Sequence, residues 1–163
     1  MSDTDAPVNI RAASYYLAAT VRRCWRCGAD TRVHGFALPP GHQRLYIDDD
    51  PAQDCWEEAE EPSLLSYLAF LAPGVVARMR ARTPHYQLRY SATLAVHYWM
   101  NACEHCGAKL GDCVTFDEPG QGFLAFRPEE AARITLTRID EPFAADCGSY
   151  SIGIEFFEYM QRA

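Results

Sequence analysis

Two copies of a Cys-x-x-Cys-Gly pattern are the residues of this sequence best suited to chemistry. They occupy residues 24–28 (CWRCG) and residues 103–107 (CEHCG). In each copy two thiols are separated by two residues, and the glycine that follows lets the backbone take a left-handed turn that directs both sulfurs toward one point. Four thiolates can complete the tetrahedral coordination of one Zn²⁺. The spacing therefore predicts one shared metal site, with the ligands Cys24, Cys27, Cys103 and Cys106.

A metal with four cysteine ligands has no open position for an activated water, so the pattern predicts one structural Zn²⁺ that does not catalyse a reaction. Iron is an alternative, because four thiolates also hold iron. Cys113 or His105 could replace one of the four ligands. A thiol redox pair is a further alternative, but such a pair precedes a helix, whereas residues 28–31 predict a turn and a strand.

The two patterns resemble the zinc knuckles of zinc-ribbon and rubredoxin-like proteins, in which two hairpin turns clasp one metal. The resemblance covers about five residues at each pattern and the strands beside them. It implies two hairpins that meet at one metal. Cys27 and Cys103 are separated by 75 residues, so we expect the chain between them to form a long insertion.

The chain has 163 residues, of which 48% are hydrophobic, and this is enough for one domain with a substantial core. The predicted division is a flexible leader over residues 1–12, followed by a single zinc-stabilised domain over residues 13–163. Neither a secretory signal nor a run of about 18 apolar residues is visible, so we expect a cytoplasmic protein without a membrane partner. In that compartment Cys55, Cys113 and Cys147 are predicted to be buried small apolar residues rather than disulfide partners, with a reactive thiol as the alternative for each.

Acidic residues are concentrated in one segment, residues 47–63, which contains eight carboxylates and no basic residue. Because carboxylates so close together repel one another, the segment is predicted to be an exposed loop, with one helical turn near Trp56. It could bind a basic protein and speed their encounter. The residues expected to contact such a partner are Asp48, Asp49, Asp50, Asp54, Glu57 and Glu58.

These observations predict a non-enzymatic, zinc-stabilised protein that acts by binding another protein, for example as an inhibitor or adaptor of a basic partner. No spacing of histidines, carboxylates or glycines matches a catalytic or phosphate-binding motif. The alternative is nucleic-acid binding through a basic first knuckle, in which Trp25 would stack on a base beside Arg22, Arg23, Arg26 and Arg32. The net charge of −7 disfavours that alternative.

The expected fold class is α+β, in which an antiparallel sheet carries both knuckles and a helical insertion packs against one face. Apolar residues spaced by three and four predict helices between residues 63 and 82, interrupted at residues 73–74. A proline followed by acids predicts the first turn of a helix over residues 128–133. Ordered structure is expected from Ser14, and the predicted strands are residues 14–21, 31–38, 45–47, 91–101, 112–116, 123–126, 134–139 and 150–156. Residues 85–90 are predicted as strand or linker, and residues 156–160 as strand or helix.

Overall fold

The computed structural model describes residues 7–118, 121–151 and 156–163. Their fold mixes α and β structure, with one large sheet and few helices. The sheet contains twelve strands, namely β1 (Ile10–Ala12), β2 (Tyr15–Arg23), β3 (Asp30–Leu38), β4 (Gln43–Tyr46), β5 (Cys55–Glu58), β6 (Ser63–Leu71), β7 (Tyr86–Ser91), β8 (Val96–Ala102), β9 (Lys109–Leu110), β10 (Thr135–Ile139), β11 (Phe143–Tyr150) and β12 (Gln161–Arg162).

Most strands follow one path across the sheet, in the order β12, β10, β2, β3, β6, β11, β1, β4 and β5. Their pairing is antiparallel except between β10 and β12. A smaller unit of β7, β8 and β9 joins this path through β8, which pairs with β6 only where Leu68 lies opposite Trp99. The second cysteine pair therefore belongs to a part of the sheet that backbone hydrogen bonds attach weakly.

The hairpin of β2 and β3 separates two hydrophobic cores, because both of its faces are buried along much of its length. Tyr15, Leu17 and Phe36 project into the first core, where the rings of Tyr15 and Phe143 lie 5.2 Å apart. Alternate residues such as Ala18 and Val33 project into the second. Cys24 and Cys103 belong to this second core, so the cysteine pairs lie at its edge.

The helices are short and pack on the sheet, and they are α1 (Pro73–Arg82), α2 (Asp112–Asp117) and α3 (Pro128–Ala131). Helix α1 buries Val75 and Met79 and exposes its arginines, so the predicted second helical piece is confirmed. Helix α3 lies where the first turn of a helix was predicted. Among the described residues, no helix combines the length and the hydropathy required to cross a membrane.

The helix predicted between residue 63 and the interruption at residues 73–74 is wrong, because residues 63–71 form strand β6. This strand lies in the middle of the sheet, paired with β3 on one side and β11 on the other. Its residues from Ser63 to Ser66 are all buried. A strand buried on both faces has a continuous apolar run, and the leucine spacing within that run resembled a helical stripe by coincidence.

The strand predicted over residues 112–116 is also wrong, because this segment forms helix α2. The strand that returns from the second cysteine pair, β9, is only two residues long. Thr115 is β-branched and favours strands in isolation, yet here its hydroxyl donates to the carbonyl of Gly111 one helical turn earlier. Residues 123–126 do not form the predicted strand, and Phe123 instead stacks on Phe116 with ring centroids 4.9 Å apart.

Ordered structure begins earlier than Ser14, since strand β1 lies inside the predicted leader and pairs with both β4 and β11. The acidic segment also differs from the expected loop. It contains a 3₁₀ turn at Pro51–Gln53 and the edge strand β5, which includes Trp56. The strand predicted over residues 91–101 begins later, at Val96. Ile152 and Ile154, part of the predicted strand near the C-terminus, lie outside the described residues, and 3₁₀ structure follows at Phe157–Tyr159.

Asp112 is a buried carboxylic acid at the start of α2, with only 1% of its surface exposed. One carboxyl oxygen accepts the backbone N–H of Tyr67 at 2.8 Å, and the other has no partner among the described residues. Burial raises the pKa of Asp112 to about 7, although the Tyr67 N–H partly opposes this change. The folded protein therefore favours the neutral acid.

Stability should fall as the pH rises toward 7, because the folded pKa of Asp112 exceeds the value of about 3.9 that applies in the unfolded chain. The Asp112→Asn variant lacks this ionisation, so it should gain about 2 kcal/mol relative to wild type between pH 5.5 and pH 8. Urea unfolding of the metal-loaded proteins measures the difference. The exposed Asp49→Asn change is the control, and parallel stability curves for wild type and Asp112→Asn would contradict the prediction.

Candidate metal centre

The two Cys-x-x-Cys-Gly patterns form turns of the same geometry at the ends of two hairpins. Residues 24–28 connect β2 to β3, and residues 103–107 connect β8 to β9. The N–H of Gly28 donates to the carbonyl of Cys24 at 3.0 Å, and the N–H of Gly107 donates to Cys103 at 2.9 Å. Both glycines have positive φ angles, of +73° and +76°, which a side chain would strain. The predicted role of these glycines is confirmed.

The structure brings the four predicted ligands together, since all four Sγ atoms lie within 4.8 Å of one another. The Sγ atom of Cys24 is 3.7 Å from that of Cys106, and the Sγ atoms of Cys27 and Cys103 are also 3.7 Å apart. Four sulfurs bound to one Zn²⁺ at about 2.3 Å in a regular tetrahedron would lie about 3.8 Å apart. A disulfide would need about 2.05 Å, so the spacing fits a shared metal and excludes a bond between these pairs.

Two of the four cysteines are buried and two are exposed. Cys24 and Cys103 are 1% exposed, while Cys27 and Cys106 lie at the surface. Burial acts to raise the pKa of Cys103, but the N–H groups of Cys106 and His105 help to lower it to about 6. The pKa of Cys24 is also lowered, because backbone N–H groups again oppose the effect of burial. The buried sulfurs are therefore prepared to bind a cation as thiolates.

The pKa of the exposed Cys27 thiol is changed by the neighbouring sulfurs. The N–H of Ala29 lowers its pKa, but desolvation and the sulfurs of Cys103 and Cys24 raise it to about 11. Neighbouring thiolates repel one another, so four negative sulfurs within 4.8 Å are stable only around a positive ion.

Each turn also holds the other through an aromatic side chain. The indole N–H of Trp25 donates to the carbonyl of Lys109 at 2.8 Å. In the opposite direction, the Nε2 atom of His105 lies 2.9 Å from the carbonyl of Asp30. Lys109 and Asp30 each lie two residues after the glycine of their own turn, so the two contacts are equivalent. His105 is thus a brace between the turns, and its imidazole lies outside the sulfur cluster.

A buried amide joins the two hairpins below the cysteines. The side chain of Asn101, on β8, accepts the N–H of His34 at 2.7 Å and donates to the carbonyl of His34 at 2.9 Å. It is completely buried and replaces a backbone ladder between β8 and β3. No sequence pattern singles out Asn101, and its only signal is its place two residues before Cys103.

The other cysteines lie outside the sulfur cluster. Cys55 and Cys113 are exposed, so the prediction that they are buried apolar residues is wrong for both. Cys147 is buried, and its thiol donates to the carbonyls of Ser66 and Ser149. Burial raises the pKa of Cys147 to about 12, so this thiol stays protonated.

The acids predicted to bind a partner are exposed except for the half-buried Asp48. Three of them stabilise their own loop, because the carboxylates of Asp48, Asp50 and Asp54 each accept a backbone N–H. Glu57 and Glu58 lie on β5, at the end of the strand order. Tyr46, the last residue of β4, and Ile47, which follows it, are exposed next to the acidic residues.

The basic first knuckle is smaller than predicted. Arg22 is only 5% exposed, and its guanidinium donates to the hydroxyl of Thr115 inside the protein. Trp25 is 69% exposed, and Arg23, Arg26 and Arg32 also lie at the surface. A cluster of four arginines for phosphate contacts is therefore not present at this turn.

The four-cysteine set is best tested with two buried thiols that differ in role. Cys103→Ser removes a ligand and should lower metal affinity by at least about 100-fold, with a loss of thermal stability. Cys147→Ser should retain the metal, because a serine hydroxyl can donate to the same carbonyls. Metal analysis of both purified variants gives the answer. Equal metal content in the two proteins would contradict the assignment of Cys103 as a ligand.

Comparison of the chain with protein-family models, with curated proteins and with solved structures found no match. What these residues do must therefore be inferred from their geometry and chemistry. The convergence of four sulfurs from two equivalent turns is the strongest such feature.

Proposed function

We propose that the chain is a non-enzymatic protein stabilised by one structural Zn²⁺, held by Cys24, Cys27, Cys103 and Cys106. The observation that carries the proposal is the cluster of four Sγ atoms within 4.8 Å of one another, in which two Sγ–Sγ distances are 3.7 Å, close to the edge of a ZnS₄ tetrahedron. Among the described residues, no histidine or carboxylate joins this group, so the ligand set is closed. A closed set leaves no site for a metal-bound water, which favours a structural role over catalysis.

We prefer zinc over iron because each cysteine turn is followed by a strand, as expected for a zinc knuckle, and structural zinc is the common occupant of such turns. Strands β3 and β9 follow the cysteine pairs, whereas a redox pair would precede the N-terminus of a helix. The metal would bind the thiolates of both hairpins and so hold the unit of β7, β8 and β9 against the main sheet.

Protein purified without added metal should contain about one zinc per chain. The exposed thiols of Cys55 and Cys113 should react with a thiol reagent at once, and four further thiols should react only after chelation. Elemental analysis and a thiol count made together test this. Iron in place of zinc would show that the assignment of the metal as zinc is wrong. No metal, with thiols that oxidise reversibly in pairs, would replace the structural role with a redox function.

We further propose that the protein acts by binding a basic protein through an acidic edge, defined as residues 48–58, which include the 3₁₀ turn and β5. Strand β5 ends the strand order, so its outer backbone groups can pair with a partner. Glu57 and Glu58 give this edge its negative charge, and the exposed Tyr46 and Ile47 add apolar contact area. Charge provides attraction and selectivity, while the apolar side chains provide affinity.

Neutralising the acidic edge with Asp49→Asn, Glu57→Gln and Glu58→Gln should lower partner capture at least about tenfold, because the attraction to a basic surface is lost. The matched control changes three exposed acids elsewhere, as Asp117→Asn, Glu129→Gln and Glu158→Gln. The acidic-edge variant and the control variant are immobilised and exposed, at two salt concentrations, to an extract of the cells that naturally make the protein. The basic proteins that each variant retains are then quantified. Capture that is equal for both variants would remove the acidic edge as the binding surface.

A further inference from the structure

A second site is indicated by a cavity of about 460 Å³ beside the second cysteine turn. The floor of the cavity is the end of the β2–β3 hairpin that lies nearest the cysteines. It belongs to the hairpin face that also carries residues of the first core. Ala19, Val21 and His34 lie on this floor. The wall is formed by the end of α1 with the residues that follow it, by Glu104 of the second turn, and by the chain that enters β10.

Three arginines from separate elements line this cavity. Arg32 lies on β3, Arg82 is the last residue of α1, and Arg133 lies just before β10. None of the ion pairs formed by the described residues includes any of the three. Glu104 is the one acid in the described lining. Three cations against one acid leave this cavity positive in a chain whose net charge is −7.

His34 provides an independent indication of a ligand. It is 6% exposed, and its Nδ1 atom has no hydrogen-bond partner among the described residues. Asn101 binds both backbone groups of His34, so the residue is firmly placed. Burial, together with the nearby charges of Arg82 and Arg32, lowers its pKa to about 4. The ring is therefore neutral at pH 7, and it lies beside two guanidinium groups.

We propose that this cavity binds the phosphate group of a small phosphorylated molecule. Guanidinium groups offer paired N–H donors that match the oxygens of a phosphate, and three of them can surround one such group. A neutral histidine can add a hydrogen bond without a charge of its own. A nucleic-acid backbone would instead require cations spread along a track, whereas these three converge on one cavity.

The proposed phosphate site is independent of the proposed function, because its lining residues belong neither to the acidic edge nor to the four clustered cysteines. Failure of phosphate binding would leave the zinc site and the acidic edge untouched. Likewise, loss of partner capture by the acidic-edge variant would have no bearing on the cavity.

Calorimetric titration of the metal-loaded chain with inorganic phosphate and with pyrophosphate, in low-salt buffer, tests the site. Arg32→Ala, Arg82→Ala and Arg133→Ala should each weaken binding at least about tenfold, the usual effect of losing one charge-assisted contact. Arg138→Ala is the matched control. It removes an exposed arginine that pairs with Asp140 outside the cavity, and it should change affinity less than about twofold.

Glu104→Gln should have the opposite effect and tighten binding severalfold, because a carboxylate repels the phosphate. The far-UV circular dichroism of every variant, compared with that of wild type, checks that the fold is retained. In NMR spectra, phosphate should shift the ring signals of His34 and leave those of His42, which is buried near Pro39, unchanged.

Three results would overturn the proposal. Wild type could fail to bind either anion saturably, or the three cavity variants could bind as tightly as Arg138→Ala. A single-stranded oligonucleotide could also displace phosphate at a concentration at least about 100-fold lower than pyrophosphate does, which would assign the arginines to nucleic acid.

Discussion

The contact between two cysteine turns is the constraint on which the rest of the structure depends. Strand β8 pairs with the main sheet only where Trp99 lies opposite Leu68, so ordinary backbone pairing does not fix its position. The four sulfurs and the amide of Asn101 provide contacts between β8 and the main sheet where backbone hydrogen bonds are few. They hold β8 and β9 beside the β2–β3 hairpin, and they close the second hydrophobic core at Cys24 and Cys103.

Such a link joins segments far apart in the chain, with 75 residues between Cys27 and Cys103. Closing a long loop costs conformational entropy, and a bound metal offsets that cost only when both hairpins have already formed. In the proposed metal-bound protein, metal binding and docking of the β7–β9 unit would therefore be one event. The arginine-lined cavity crosses the same junction, because Arg32 belongs to the main sheet while Glu104 belongs to the second turn. Its shape therefore depends on the contact between the two cysteine turns, although no cysteine lines it.

The sequence predicted the parts of the fold that are determined locally. A glycine after Cys-x-x-Cys specifies its turn, and the alternation in β2 and β3 reflects a strand whose neighbours lie a few residues away. Strand β6 and helix α2 were assigned wrongly because their surroundings decide their structure. Leu65 and Leu68 belong to a strand since β3, β8 and β11 surround it, and Thr115 is helical since its hydroxyl finds a carbonyl one turn back. Periodicity does not contain that information.

The candidate sites show the same contrast between features that the local sequence determines and features that only the fold creates. Four ligands could be identified from spacing alone, because their chemistry requires both the residue type and the separation. His34, Arg82 and Arg133 come from three unrelated segments, and only the folded chain places them around one cavity. Charge composition was misleading here, since a net charge of −7 averages an acidic edge with a basic cavity. At physiological salt, electrostatic effects fade over about 8 Å, so a ligand at either surface would respond to the local charge rather than to the net charge of the chain.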